Sequence, residues 1–230
     1  MRALAWVMLT VAVCVGAVAG CDRLSGPSGA VLSRYEAGER AIAAGNGMEF
    51  FKMMSAESQA AELELIQVAL TGSSDKVRAL PPSSIALVLA LRNRVEPSRL
   101  RKMTVEDLAA WQIESKLLGV DADNGYAPVD VTVTGDKAYI QMGIKEQIDS
   151  GGLTELLNRS SVEPIKNFEY HYVRVNGEWL IDKAATDVAL KKVYAAAARE
   201  AGVKIVDMIE AQEREEFGSL KPNIWSPVGK

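Results

Sequence analysis

The sequence predicts an α+β fold in which helices pack on one curved antiparallel sheet of about four strands, with additional helices beside it. Two features of the 230-residue chain lead to this prediction. Apolar residues recur at helical spacing between positions 31 and 118, whereas they alternate with polar residues between positions 129 and 144, as in half-buried strands. A second predicted hairpin follows, and the chain then returns to helical spacing. Helices followed by two consecutive hairpins indicate a single sheet covered on one face.

The helical part of the chain divides at glycine, serine and proline. A Gly-Asn-Gly run at 45–47 ends the first segment, a break is expected near Ser55 in the second, and Pro97 closes the third. Thr104 is predicted to cap the fourth, because acidic residues occupy the turn that follows it. The predicted helical segments are residues 31–44, 48–70, 85–94 and 104–118, the last ending at Gly119.

Two hairpins are predicted from turn signals combined with alternation. A Gly-Asp turn at 135–136 fixes the register of the first hairpin, and every inward residue then meets another inward residue. The predicted pairs are Val133 with Ala138, Val131 with Ile140, and Val129 with Met142. An Asn-Gly turn at 176–177 joins the strands of the second hairpin, 168–175 and 178–184. Its register pairs Val175 with Glu178, Val173 with Leu180, and His171 with Asp182.

The remaining segments are helical or extended. Residues 151–158 are predicted to form a short helix, and helices run from Ala184 to about Glu216 with a break at Gly202. The chain then ends in a predicted extended tail. In this tail Trp225 either docks back onto the domain or contacts a partner, and docking back is the simpler expectation.

The first twenty residues have the composition of a secretory signal peptide. Arg2 supplies a positive charge, residues 3–18 are apolar apart from Thr10, and small residues precede Cys21. The apolar stretch of roughly 16 residues is shorter than the roughly 20 that a membrane-spanning helix needs. We therefore expect this segment to direct export and to be removed.

Residues 18–21, Val-Ala-Gly-Cys, resemble the lipobox of bacterial lipoproteins. The resemblance implies cleavage before Cys21 and attachment of acyl chains such as palmitate, and two or three chains suffice for stable anchoring. It predicts a domain on the extracytoplasmic side of the cell membrane, joined to Cys21 by a flexible tether that runs to Ala30. Asp22 favours the periplasmic face of the inner membrane, or is a plain linker residue. An ordinary signal peptide or an uncleaved anchor is the alternative for the whole segment.

Composition excludes several classes of function. Removal of residues 1–20 takes away one charged residue, Arg2, and leaves 25 basic against 30 acidic side chains. A mildly acidic protein lacks the basic surface that nucleic-acid binding needs. Cys14 lies in the signal peptide and Cys21 carries the lipid, so thiol nucleophiles, disulfides and cysteine metal sites are excluded. Because the chain has one histidine, multi-histidine metal sites are excluded too, and we expect no cofactor.

The second predicted hairpin carries a family resemblance. Residues 169–183, EYHYVRVNGEWLIDK, resemble the last hairpin of cystatin-like and NTF2-like domains, in which a pattern x-V-x-x-(D/N)-G-x-W-x-I closes a cone-shaped sheet. The likeness is carried by Val173, Val175, Asn176, Gly177, Glu178, Trp179 and Ile181. The helical segment 63–118 and the C-terminal helices depart from the compact family pattern. The resemblance implies a fold that hosts enzymes, binding modules and scaffolds alike.

The register also supplies the candidate catalytic residues. His171 faces Asp182, and Glu169 lies two residues along the same strand. A carboxylate in that position orients an imidazole as a general base. The alternative is a polar pair on the solvated face of the sheet, worth roughly 0.2–1 kcal/mol. The inward residues of the first hairpin are all apolar, which favours packing over acid–base chemistry.

These observations favour a membrane-anchored lipoprotein of the cell envelope with a non-catalytic binding or scaffold domain. Two alternatives stay open. One is an NTF2-like envelope enzyme that uses His171 and Asp182 in a pocket, and the other is an accessory subunit of an envelope complex that docks through its C-terminal helices. The expected organisation is a signal peptide at 1–20, the lipidated cysteine and tether at 21–30, the α+β domain at 31–219 and an extended tail at 220–230.

Overall fold

The computed structural model describes residues 26–115, 117, 126–144 and 168–228. The helices in these ranges are α1 (Pro27–Ala43), α2 (Gly47–Lys52), α3 (Ala56–Thr71), α4 (Ser74–Arg78), α5 (Pro82–Arg94), α6 (Pro97–Leu100), α7 (Val105–Glu114), α8 (Lys183–Glu200) and α9 (Ile205–Phe217). The strands are β1 (Tyr126–Thr134), β2 (Lys137–Ile144), β3 (Phe168–Val175) and β4 (Glu178–Ile181). They form one antiparallel sheet in the order β1-β2-β3-β4, which confirms the predicted α+β class. The signal segment with Cys21, the stop at Gly119 and the helix expected at 151–158 lie outside the described residues.

Polar side chains fix the starts of five helices by accepting a hydrogen bond from a backbone N–H of the first turn. These capping residues are Asn46, Ser55, Ser73, Thr104 and Asp182. Ser55 confirms the expected break, and Thr104 forms a reciprocal capping box with Asp107. Proline is favoured in the first helical turn, and α1 accordingly begins at Pro27. Residues 27–30, expected in the tether, are therefore helical.

The registers of both hairpins follow their turns, with one difference. Val133 pairs with Ala138 and Val131 with Ile140, as predicted. The third predicted pair, Val129 with Met142, is wrong, because a β-bulge between Pro128 and Asp130 places Pro128 opposite Met142. Proline has no N–H to donate to the ladder, and such residues sit in edge strands and bulges. In the second hairpin Val175 pairs with Glu178 and Val173 with Leu180, which confirms that register.

The sheet buries one face beneath α1. Val31 of α1 packs with Ala138, Ile140 and Met142 of β2 and with Tyr172 and Trp179 from β3 and β4. The opposite face carries the alternate residues, including His171, which pairs with Tyr139, and Glu169, which pairs with Gln141. The sheet is therefore half-buried, as its alternation predicts.

A second core lies among the helices around α5. Val88, Leu89, Ala90 and Leu91 of this helix are fully buried, because α3, α4, α8 and α9 surround it. An apolar helix that is surrounded in this way is part of a protein core. None of the helices in the described part of the chain has the length and apolar character needed to cross a bilayer.

The strongest polar feature of this core is Arg92, which is 1% exposed. Its guanidinium donates to the carbonyl oxygens of Val68 and Ala69, at 2.9 Å each, and of Gly72 at 2.5 Å, all at the C-terminal end of α3. A fourth bond, of 3.3 Å, reaches the carbonyl oxygen of Ile224 in the C-terminal segment. A helix C-terminus attracts cations, so α3 stabilises the buried charge although burial lowers the pKa of Arg92.

The C-terminal segment folds back on the helices and is not the extended tail expected from its prolines. Residues 222–225 form a turn in which Ile224 is buried. The indole N–H of Trp225 donates to Glu210, and the guanidinium of Arg78 lies 3.9 Å from the centre of the indole ring. Of the two expected roles for Trp225, the structure shows the first, docking onto its own domain.

Replacement of Arg92 by Met is expected to destabilise the fold by at least about 3 kcal/mol, because the carbonyl oxygens of Ala69, Gly72 and Ile224 lose their donor, whereas that of Val68 keeps the N–H of Gly72. Urea unfolding measures the change. Arg99→Met is the control, since Arg99 is exposed and its loss should stay within about 0.5 kcal/mol. Equal effects of the two substitutions would contradict the role assigned to Arg92.

Substitution by alanine is expected to change stability in opposite directions at two buried glycines. A Cβ added to Gly38 meets ring carbons of Phe50 at 3.5 Å, so Gly38→Ala should stabilise α1 by about 0.5–1 kcal/mol. A Cβ added to Gly47 falls 2.3 Å from the carbonyl oxygen of Ala109, so Gly47→Ala must separate α2 from α7 and should destabilise the protein. Thermal unfolding of both variants checks the pair, and a shared sign would refute this packing.

Candidate functional site

The predicted catalytic residues do not come together as expected. The backbone N–H of Asp182 donates to the carbonyl oxygen of His171 at 2.8 Å, so the two residues are neighbours across the hairpin as the register predicts. The carboxylate of Asp182, however, caps α8 by accepting from the N–H of Ala185 at 3.1 Å. The imidazole Nε2 of His171 lies 2.9 Å from the carboxylate of Glu169 instead. The pair that forms is therefore His171 with Glu169.

The His171–Glu169 pair belongs to the sheet face that α1 does not cover. The side chains of His171 and Glu169 are 24% and 43% exposed, and the ring of Tyr139 lies 5.6 Å from the imidazole between centroids. A half-exposed pair of this kind gains little from its charges. This arrangement fits the polar-pair alternative better than the catalytic one.

A buried polar cluster elsewhere in the molecule was not found from the sequence. It consists of Glu62 on α3 and of Lys183 and Asp187 on α8. The ammonium Nζ of Lys183 lies 2.7 Å from Asp187 and 3.5 Å from Glu62. Glu62 and Asp187 are 2% and 7% exposed. We call these three residues the acid–lysine cluster.

Neighbouring side chains complete the hydrogen bonding of the acid–lysine cluster. The amide of Gln112 donates to Glu62 at 2.7 Å, and the hydroxyl of Ser83 donates to Asp187 at 2.5 Å. The ammonium of Lys183 also lies 3.4 Å from the hydroxyl oxygen of Ser84. Among the described residues, every fully buried side-chain nitrogen and oxygen has a hydrogen-bond partner. The cluster is thus a satisfied network, which a buried polar group requires.

Hydrogen bonds at the end of β4 fix the position of the acid–lysine cluster. The N–H of Ile181 donates to the carbonyl oxygen of Met53, and its own carbonyl accepts from the N–H of Ser55, at 2.8 and 2.9 Å. Two residues later the N–H of Lys183 donates to the hydroxyl of Ser58 at 2.9 Å. Residues four positions apart lie on the same face of a helix. Because Ser58 contacts Lys183, Glu62 on the same face of α3 also lies beside Lys183. Asp187 lies beside Lys183 because both are on one face of α8.

The charges of the cluster do not balance within it. Two carboxylates face one ammonium. Removal from water raises the pKa of Glu62, and this effect is larger than the opposing effects of the Lys183 ammonium and the Gln112 amide, which favour the ionised form. Glu62 therefore holds its proton more tightly than an exposed glutamate. The cluster carries one acidic group beyond what Lys183 can neutralise.

Three cavities, of about 290, 420 and 210 Å³, have walls that include Lys183. The smallest lies between α1, the buried sheet face and α8, and we call it the tyrosine cavity. Its wall is mainly aromatic and apolar, with Tyr35, Phe50, Met54, Tyr170, Tyr172 and Ile181, and all three residues of the acid–lysine cluster border it. Ligand sites commonly combine an apolar wall with a few polar groups in this way.

The tyrosine hydroxyls of this cavity stay protonated. Burial and the nearby carboxylate of Glu39 raise the pKa of Tyr170 to about 12, and burial also raises the pKa values of Tyr35 and Tyr172. The rings of Tyr35 and Tyr170 are tilted by 43° with centroids 6.0 Å apart. The wall of the cavity therefore contains aromatic rings with neutral hydroxyl groups rather than a phenolate base.

The arrangement suits binding better than acid–base chemistry. The carboxylates of the acid–lysine cluster are held by Lys183, Gln112 and Ser83, so each already has a protein partner. Within the described residues, no group of three histidine, cysteine, aspartate or glutamate side chains is placed to hold a metal ion. Comparison of the chain with protein-family models, with curated proteins and with solved structures finds no match.

Glu62→Gln is expected to change the pH dependence of stability. Because the pKa of Glu62 is raised by folding, the native state binds its proton more tightly than the unfolded state, and stability falls as pH rises above the unfolded value. The glutamine variant lacks this loss, so its stability relative to wild type should increase as the pH is raised above the unfolded value of the glutamate pKa. Urea unfolding at several pH values provides the measurement.

Glu64→Gln is the matched control, since Glu64 lies on the same helix with a side chain that is 66% exposed. It should keep the pH profile of wild type. A Glu62→Gln variant that lost stability relative to wild type as the pH rose would contradict the raised pKa.

Proposed function

We propose that this chain is a lipid-anchored protein of the cell envelope whose folded domain is a non-catalytic binding domain. The observation that carries the proposal is the tyrosine cavity, in which an aromatic and apolar wall ends on a buried, hydrogen-bonded group of charges. Cavities of this composition bind small molecules and orient them through their few polar groups. The ligand site of the proposed function is this cavity.

The proposed membrane location of the protein is supported by the lipobox-like segment that ends at Cys21 and by the apolar residues before it. Helix α1 forms one wall of the tyrosine cavity, and it begins six residues after Cys21, at Pro27. A fully extended segment of that length spans about 20 Å at most. An acylated Cys21 would therefore hold the cavity close to the bilayer, where ligands that partition to the membrane surface are concentrated.

The lipid anchor is tested with Cys21→Ser in a bacterial host. Wild type should fractionate with membranes and show the mass of a cleaved, acylated chain, because the thiol carries the lipid. The serine variant should lose both properties. Intact-mass spectrometry and fractionation measure them, and an unacylated, soluble wild type would remove the anchor from the proposal.

The binding function is tested with the full-length chain in nonionic detergent. A library of small neutral, cationic and anionic fragments is screened by ligand-observed NMR against wild type and Gly38→Leu. Gly38 borders the tyrosine cavity, so leucine there should fill it and abolish binding, whereas Gly38→Ala should retain it. Circular dichroism is expected to show that both variants fold. Fragments that bind all three proteins equally, or no binding in any class, would contradict this function.

A further inference from the structure

We propose that the tyrosine cavity takes a small organic cation, an amine with an apolar body of about one ring. The inference rests on the proposed binding function and names its ligand class. It comes from three independent properties of the cavity: the balance of its charges, the spare hydrogen-bonding capacity of its polar groups, and the chemistry and size of its wall.

The buried charges that border the cavity do not balance. Two acidic residues, Glu62 and Asp187, face one basic residue, Lys183, and Glu39 at the rim is exposed. Arg34 is held at the sheet, where its Nε donates to the carbonyl oxygen of Trp179 at 2.6 Å and its guanidinium lies 3.7 Å from the carboxylate of Glu178. Lys183 is shared between two carboxylates. A cationic ligand would favour the ionised form of Glu62 and balance the second carboxylate in a low-dielectric site, whereas an anionic ligand would oppose its ionisation.

Hydrogen-bonding capacity points in the same direction. An ammonium has three donors, and three acceptors already surround the Nζ of Lys183, from Asp187, Ser84 and Glu62. An anion that approached Lys183 would have to displace one of them. A carboxylate, by contrast, accepts about four hydrogen bonds, and Glu62 receives one from Gln112 at 2.7 Å and the longer contact from Lys183. Glu62 therefore has acceptor capacity left for the N–H groups of a ligand.

The aromatic wall of the tyrosine cavity also favours a cationic ligand. The faces of tyrosine rings attract cations by about 0.5–2 kcal/mol each when water is excluded. Tyr35 and Tyr170 present two tilted rings, and the protonated hydroxyl groups of the tyrosines add no competing charge. The volume of about 210 Å³ lies between a cavity of about 150 Å³ that holds benzene and the roughly 300 Å³ at which sites for drug-sized ligands begin. One ring with a short amine matches this space.

Three isosteric probes test the charge preference: 2-phenylethylamine, 2-phenylethanol and phenylacetate. Isothermal titration calorimetry at pH 7.5 uses the full-length chain in nonionic detergent. The amine is expected to bind at least tenfold more tightly than the alcohol, and phenylacetate more weakly than both. Because this comparison is made on wild type, it does not depend on the folding of any variant.

The Glu62→Gln variant tests whether the carboxylate of Glu62 causes the preference for the amine. The variant should reduce the advantage of the amine over the alcohol to less than threefold, while Glu64→Gln keeps the wild-type ratio. Gly38→Leu should abolish binding of all three probes. An alcohol that binds as tightly as the amine, or an amine advantage that survives Glu62→Gln, would overturn the cation assignment and leave the binding function standing. If no probe and no library fragment binds wild type, the binding function itself is overturned.

Discussion

The helical half of this molecule depends on one buried charge. Arg92 has four backbone carbonyl oxygens as its partners, three at the end of α3 and one in the C-terminal segment. A guanidinium can satisfy this many acceptors in one plane, which an ammonium cannot. The residue thereby joins α5, α3 and the C-terminal segment at a single point, and Asn93 beside it extends the junction by accepting from the N–H of Lys221.

The sheet and the helical half meet at a second junction, and the candidate site lies there. The end of β4 bonds to the α2–α3 connection on both sides of Ile181, so the start of α8 cannot move independently of α3. Lys183 and Glu62 consequently approach each other from separate halves of the chain. The charges that define the cavity therefore depend on the same contacts that hold the sheet against the helices, and binding and stability are coupled at this place.

The parts of this fold that the sequence predicts are those with local causes. Turn chemistry fixed the register near 135–136 and 176–177, and side-chain caps fixed helix starts at Ser55 and Thr104. The bulge beside Pro128 also has a local cause, since proline cannot donate to a ladder, but alternation alone does not reveal it. The family resemblance, the lipid anchor and the envelope role stay predictions.

The candidate site was not predictable in the same way, because its members are far apart in the sequence. One signal was present: Glu62 follows Ser58 by four residues and precedes Ile66 by four, so it lies on the buried stripe of α3. A carboxylate on such a stripe must find partners inside the protein. The identity of these partners depends on how α8 packs. As the sole histidine, His171 directed the prediction of a site to the second hairpin instead.

The bulge at Pro128 has a further consequence for the outer edge of the sheet. Within the described residues β1 has a neighbour on one side, so its other edge offers unpaired N–H and C=O groups over nine residues. Such an edge is a template for association between copies. A proline and an irregular step interrupt that template in its first half. A proline at this position therefore makes the edge a poorer template for pairing with another strand.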